Sequence, residues 1–270
     1  MIVASVLSGA GLGLLFWLAF ARLFHASSAS PQWWQSFALA VALVAAGGVY
    51  RRWRAGRLSA SSDPSKVLDN VWQSRQTLLT GGLIPVAAVY AWTVWQEVRW
   101  AQLAAGAVLI ALCLALLACA AMVFASQQQV PRWRTWHTRI GLPLLGLMSG
   151  SLVLSAMVPV AAAPFAARIS VVLLVLGAAL KAAYFLKFTD SASDSPLAPA
   201  QRTLLKILMF VLAFGAPFVL FALSARLAPA AAILSLAGLL VERRLFLAEA
   251  QTTAGFTATR RAAPAQPGLE

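Results

Sequence analysis

QLAAGAVLIALCLALLACAAMVFA, Gln102 to Ala125, runs 24 residues without a charge. At 1.5 Å per residue a helix of that length reaches about 36 Å, enough to cross a hydrocarbon core of roughly 30 Å. The stretch decides the fold class because it has companions: similar apolar blocks fall near residues 2–23, 36–50, 77–96, 140–159, 164–187, 204–225 and 229–248. Hydrophobic residues make up 61% of the 270, charged residues only 11%, and the mean hydropathy is +0.80. The apolar residues come in blocks instead of at the three-or-four spacing of a soluble amphipathic helix. The expected fold is therefore an all-α integral membrane bundle of about eight transmembrane helices. That domain spans residues 1–250, with a flexible tail over 251–270 rich in Ala, Thr, Pro and Arg. The second block is short and leans on Trp33, Trp34, Tyr50 and Trp53 as interfacial anchors.

The charge pattern orients the bundle. Of the 21 Lys and Arg, 17 lie on the side shared by the N-terminus, the connections after the second, fourth and sixth helices, and the tail. Only Arg22, Arg99, Arg168 and Arg226 fall on the other side. Cytoplasmic loops carry such an excess, so both termini are expected inside a multi-pass protein of a bacterial inner membrane. The formal charge of +13 is thus explained by topology and lipid; nucleic acid is not an expected partner. The first apolar segment lacks a basic leader and a small-residue cleavage site and reads as a true first helix.

Redox and metal chemistry in this chain finds little support. His25 and His137 are the only histidines, and the topology puts them on opposite sides, so no bis-His haem is expected. Cys113 and Cys119 are six apart on one helix, which fits small packing residues and neither a metal pair nor a CxxC motif. SGAGLG, Ser8 to Gly13, lies within a span with no preceding strand. Close helix packing through Gly9 and Gly13 explains it better than a dinucleotide loop. LMSGSLVL at Leu147 faintly resembles LSGAGLGL at Leu7, a hint of a weak four-plus-four duplication.

Three segments converge on the inner face. NVWQSRQTLLTG, Asn70 to Gly81, brings Trp72, Ser74 and Arg75. VPRWRTWHTRIGLP, Val130 to Pro143, brings two tryptophans including Trp136, three arginines, His137 and Thr138. VERRLFLAEA, Val241 to Ala250, sets Glu242 about 18 Å along the last span. A carboxylate there is a site candidate by default, or a structural ion pair with a loop arginine such as Arg75. The flanking arginines can reach the interface, and Lys181 is expected to snorkel past Tyr184. The tryptophans and most arginines are equally those of an aromatic belt with positive-inside charge.

At these segments the chain resembles the DmsC-type membrane anchors of molybdopterin oxidoreductases, the group named for dimethyl sulfoxide reductase. SVLSGAGLGLL, VWQSRQTLL, RWRTWHTRIGLP and VERRLFLAEA stand in family order over nearly the whole chain. The family's His-Leu-Gly-Arg-Pro segment is replaced by AGRLSASSDP, Ala55 to Pro64. Gln76, Arg139 and Glu242 stand where Glu, Pro and Gly are usual. The resemblance implies an anchor that holds a ferredoxin-like Fe–S subunit and, through it, a molybdopterin catalytic subunit. Such an anchor exchanges electrons between the Fe–S subunit and membrane quinone or quinol, menaquinone or ubiquinone. Fe–S clusters and molybdenum then belong to the partners, and this chain carries out no substrate half-reaction itself. With the charge bias above, the catalytic subunits lie on the cytoplasmic side, as in sulfite dehydrogenase and phenylacetyl-CoA oxidoreductase types. The quinone head is expected between helices one, three, five and eight. Arg75 and His137 would bind its oxygens, His137 and Glu242 relay protons, and Trp72 and Trp136 wall the pocket. A secondary transporter and a purely structural anchor are the rival readings.

Overall fold

The computed structural model describes residues 2–24, 30–58, 71–126, 131–158, 164–187 and 199–262. His25, Lys66, residues 59–64 of the AGRLSASSDP segment and tail residues 263–270 lie outside them. Among the described residues every element is helical: α1 Ile2–Phe24, α2 Pro31–Leu58, α3 Val71–Trp95, α4 Arg99–Ala125, α5 Trp136–Met157, α6 Pro164–Lys187, α7 Pro199–Phe210, α8 Ala216–Leu223 and α9 Ala228–Ala262. A π-helical segment, Val211–Gly215, joins α7 to α8 as one rod, and 3₁₀ turns precede α5 and α9. Among the described residues, seven rods are long and apolar enough to cross a membrane. The eighth, α9, meets Glu242, Arg243 and Arg244 within its first 18 residues. The protein is a multi-pass helical membrane protein, and its rods coincide with the apolar blocks of the sequence.

Helix boundaries follow local chemistry. Proline opens α2, α6 and α7, where its missing N–H is harmless and its fixed φ already helical. Inside the seventh rod, Pro217 cannot donate to the Ala213 carbonyl, and the turn widens to π just before it. Ser235 Oγ of α9 donates to that carbonyl at 3.1 Å. α2 begins earlier than the short block implied. Trp33 is consequently not an interfacial anchor but a buried ring packed on Phe37 and Tyr90. α9 continues to Ala262, beyond the last apolar block of residues 229–248.

α1 and α5 form the centre. In each, 67% of the apolar window is buried, against 33% or less in the other spans. α1 packs on α2, α4, α5 and α9, and α5 on α1, α4, α6 and α9. They meet through glycine. A Cβ on Gly13 would lie 2.1 Å from the Gly146 carbonyl oxygen, and one on Gly150 2.1 Å from the Gly13 carbonyl carbon. Gly9 faces Gly146 one turn away, so two GxxxG stretches cross in parallel, as the spacing of Gly9 and Gly13 predicts. Trp17 Nε1 donates to the Leu147 carbonyl at 2.8 Å across the same seam. The pairings repeat with an offset of four rods: α1 on α2 as α5 on α6, α3 on α4 as the α7–α8 rod on α9, and α1 on α4 as α5 on α9.

The arginine-poor end is closed by hydrogen bonds. Arg99 Nη1 and Nη2 donate to the Arg22 and Leu23 carbonyls, at 2.8 and 3.0 Å, capping the end of α1. Gln102 Nε2 donates to the Thr93 carbonyl at 3.2 Å. Arg99→Ala is expected to lower stability by about 1–3 kcal/mol, because two charge-assisted bonds go together. A drop in the thermal midpoint of the detergent-solubilised protein checks this, and an unchanged midpoint would show the clamp to be idle.

Candidate functional site: a cavity at the arginine-rich end

α3 packs mainly on α4. At the arginine-poor end it also reaches α2, where the Tyr90 ring lies 6.0 and 6.3 Å from Trp33 and Phe37. At the opposite end, where the sequence concentrates its Lys and Arg, a cavity of about 330 Å³ separates α3 from α1, bounded also by α4, α5 and α9. That is within the range of small-molecule sites.

Its walls divide by chemistry. Val6, Leu12, Leu117, Val123, Leu142, Leu145 and Leu239 give an apolar surface. Gln73, Gln76, Thr77 and Thr80 of α3 line it at spacings of three and four, one face of one helix. Ser5, Ser8 and Ser149 face it from the central helices, and Arg243 from α9. The hydroxyls spend their protons locally: Thr77 Oγ1 donates to the Gln73 carbonyl at 2.9 Å, Thr80 Oγ1 to Gln76 at 2.7 Å, and Ser149 Oγ to Gly146 at 2.9 Å. Their oxygens remain as acceptors, while the glutamine amides and Arg243 supply donors. The lining therefore suits a ligand that has an apolar body and an oxygen head able to accept hydrogen bonds, and to donate them when protonated.

Beside the cavity lies a buried charge cluster. Glu242 is 2% exposed, and its Oε1 accepts a salt-bridge hydrogen bond from Lys181 Nζ of α6. Lys181 is therefore not a snorkelling residue: it is buried, with Tyr184 and Phe246 5.4 and 5.8 Å from its ammonium. Arg243 Nε stands 3.5 Å from Glu242 Oε2, too far for a hydrogen bond. Behind Lys181 a crevice of about 10 Å³, one water position, is lined by His137, Thr138, Tyr184 and Phe246.

The residues expected to form the site separate. Trp72 and Arg75 pair with each other, guanidinium carbon 4.9 Å from the ring, and line neither space. Trp136 is 53% exposed and stacks on His137 at 3.9 Å. His137 is buried and faces the crevice toward α6, with Leu142 and Leu145 standing between it and the cavity. Glu242 pairs with Lys181, not with Arg75. Trp133, from the same segment as Trp136, is a core ring stacked on Phe246 at 4.6 Å. The site residues that the reading passed over, Gln73, Thr77, Thr80 and Arg243, did leave a signal. A polar stripe at helical spacing inside an apolar span marks a face turned toward something wet or polar. No protein-family model, curated protein or solved structure matches this chain.

Proposed function

We propose that the protein is the membrane anchor and quinone-interacting subunit of a molybdopterin and Fe–S oxidoreductase of the DmsC-type group. Its arginine-rich end faces the cytoplasm of a bacterial inner membrane, with both termini inside. There it holds a ferredoxin-like subunit and, through it, the catalytic subunit. The four-rod offset in helix pairing fits a four-plus-four duplication underlying the anchor.

One observation carries the reading. The 330 Å³ cavity lies between α1, α3, α4, α5 and α9 at the end where a quinone head was expected, apolar on one side and hydrogen-bonding on the other. A quinone carbonyl accepts from Arg243 or a glutamine amide; a quinol hydroxyl donates to the Thr and Ser oxygens. The apolar wall takes the ring and the start of the tail. Electrons are exchanged with the docked Fe–S subunit at the same end. Against a transporter, the charged groups of the spans stand toward their ends and not at the midplane, where such sites lie.

Thr77→Trp tests the reading, because Thr77 is exposed on α3 and its replacement fills the cavity without disturbing the core. Quinone-linked turnover of the purified complex is expected to fall at least tenfold, with assembly and activity toward an artificial electron acceptor unchanged. Full quinone-linked turnover in that variant would remove the cavity from the mechanism.

A further inference from the structure

The charges beside the cavity do not balance. Lys181 and Arg243 bring two positive charges and Glu242 one negative, and among the described side chains Glu242 is the only carboxylate at this end. Lys181 occupies Glu242 Oε1. Arg243, with only 8% of its surface exposed, keeps Nε and Nη1 without a hydrogen-bond partner while its side chain lines the cavity. A buried guanidinium with donors to spare is costly unless an acceptor meets it. The Phe246 ring, 6.0 Å from its central carbon, covers part of one side and supplies no acceptor oxygen. The geometry points to Arg243 as the group that binds a head oxygen of the cavity's ligand, which by the reading above is a quinone carbonyl. The Lys181–Glu242 pair acts as a positioning device: Lys181 holds the carboxylate, and the carboxylate's second oxygen, 3.5 Å from Nε, attracts the guanidinium by charge without taking a hydrogen bond from it. The donors left over are available to the ligand.

The inference rests on the quinone reading, and one experiment separates the two. Native membranes carrying the full chain are titrated with a photoreactive azidoquinone, and the labelled peptides are mapped by mass spectrometry with an untagged quinone as competitor. In the parent protein, competed label is expected on peptides of α1, α3 and α9. Arg243→Gln is expected to raise the half-labelling concentration at least tenfold. Arg243→Lys, which keeps the charge but loses the planar fork of donors, should raise it at least threefold, and it carries the test if the Gln variant fails to accumulate. Half-labelling at the parent concentration in the Arg243 variants would overturn the role of Arg243 and leave the quinone site standing. Absence of competed label from those helices in the parent protein would overturn the quinone reading and this inference with it.

Discussion

Gly150→Ala, a change of one methyl group in a chain full of alanine, is expected to cost about 3 kcal/mol of stability. A Cβ at position 150 would sit 2.1 Å from the Gly13 carbonyl carbon and 2.3 Å from the Leu14 nitrogen. Both are backbone atoms, so no side-chain rotation relieves the overlap; α1 itself must move. Because α1 also packs on α2, α4 and α9, the displacement spreads through the bundle. Gly82→Ala is the control: nothing lies within 4 Å of its added methyl, and alanine is the better helix former by about 1 kcal/mol. Unfolding in mixed micelles, followed by circular dichroism, should show a much weakened or unassembled Gly150 variant and an unharmed Gly82 variant. Equal stability of the two would mean that α1 and α5 do not cross at these glycines.

Lys181→Met should be the second most damaging single change, by about 3 kcal/mol or more. It strips the hydrogen-bonded counter-charge from Glu242, whose side chain is 1% exposed, and leaves only Arg243 at 3.5 Å. A buried charge that loses its partner keeps its desolvation penalty and loses the interaction that offset it. The double variant Lys181→Met, Glu242→Met removes both charges and puts a side chain of similar length at each place. It should recover only part of the lost stability, because removing Glu242 also takes the carboxylate from beside the buried Arg243. The cycle of two single variants and the double one measures the coupling directly. Additive losses would show that the two residues do not share a bond.

The parts of this molecule that were legible in the sequence are those set by one helix at a time. Uninterrupted apolar length placed the rods, and glycine spacing at Gly9 and Gly13 announced a close crossing, with only its partner on α5 left open. What needed the structure was rotation about the helix axis and pairing between distant helices. α3 is apolar on most sides, and its polar stripe alone did not tell whether that face turned toward a neighbouring helix or away from the bundle. Trp72 and Arg75 drew attention by their chemistry, yet they share a face that misses the cavity, while the quieter Gln73, Gln76, Thr77 and Thr80 share the one that lines it. Glu242 was conspicuous as a carboxylate within a span. Its partner 61 residues away on α6 was not, since a lysine one to two turns inside a helix end reads equally well as a snorkelling side chain. Arg243 looked like a residue that marks a helix end, and only its burial beside the cavity sets it apart from Arg244, which is exposed.

We propose that this bundle anchors a redox complex and serves it with quinone. The most direct measurement is to extract the tagged chain gently from its native membrane, identify what accompanies it by mass spectrometry, and record low-temperature EPR spectra of the preparation. A ferredoxin-like subunit, a molybdenum subunit, and Fe–S signals that change when a quinone or quinol is added are expected. Recovery of the chain alone, without any redox centre, would contradict the proposal and turn attention to transport.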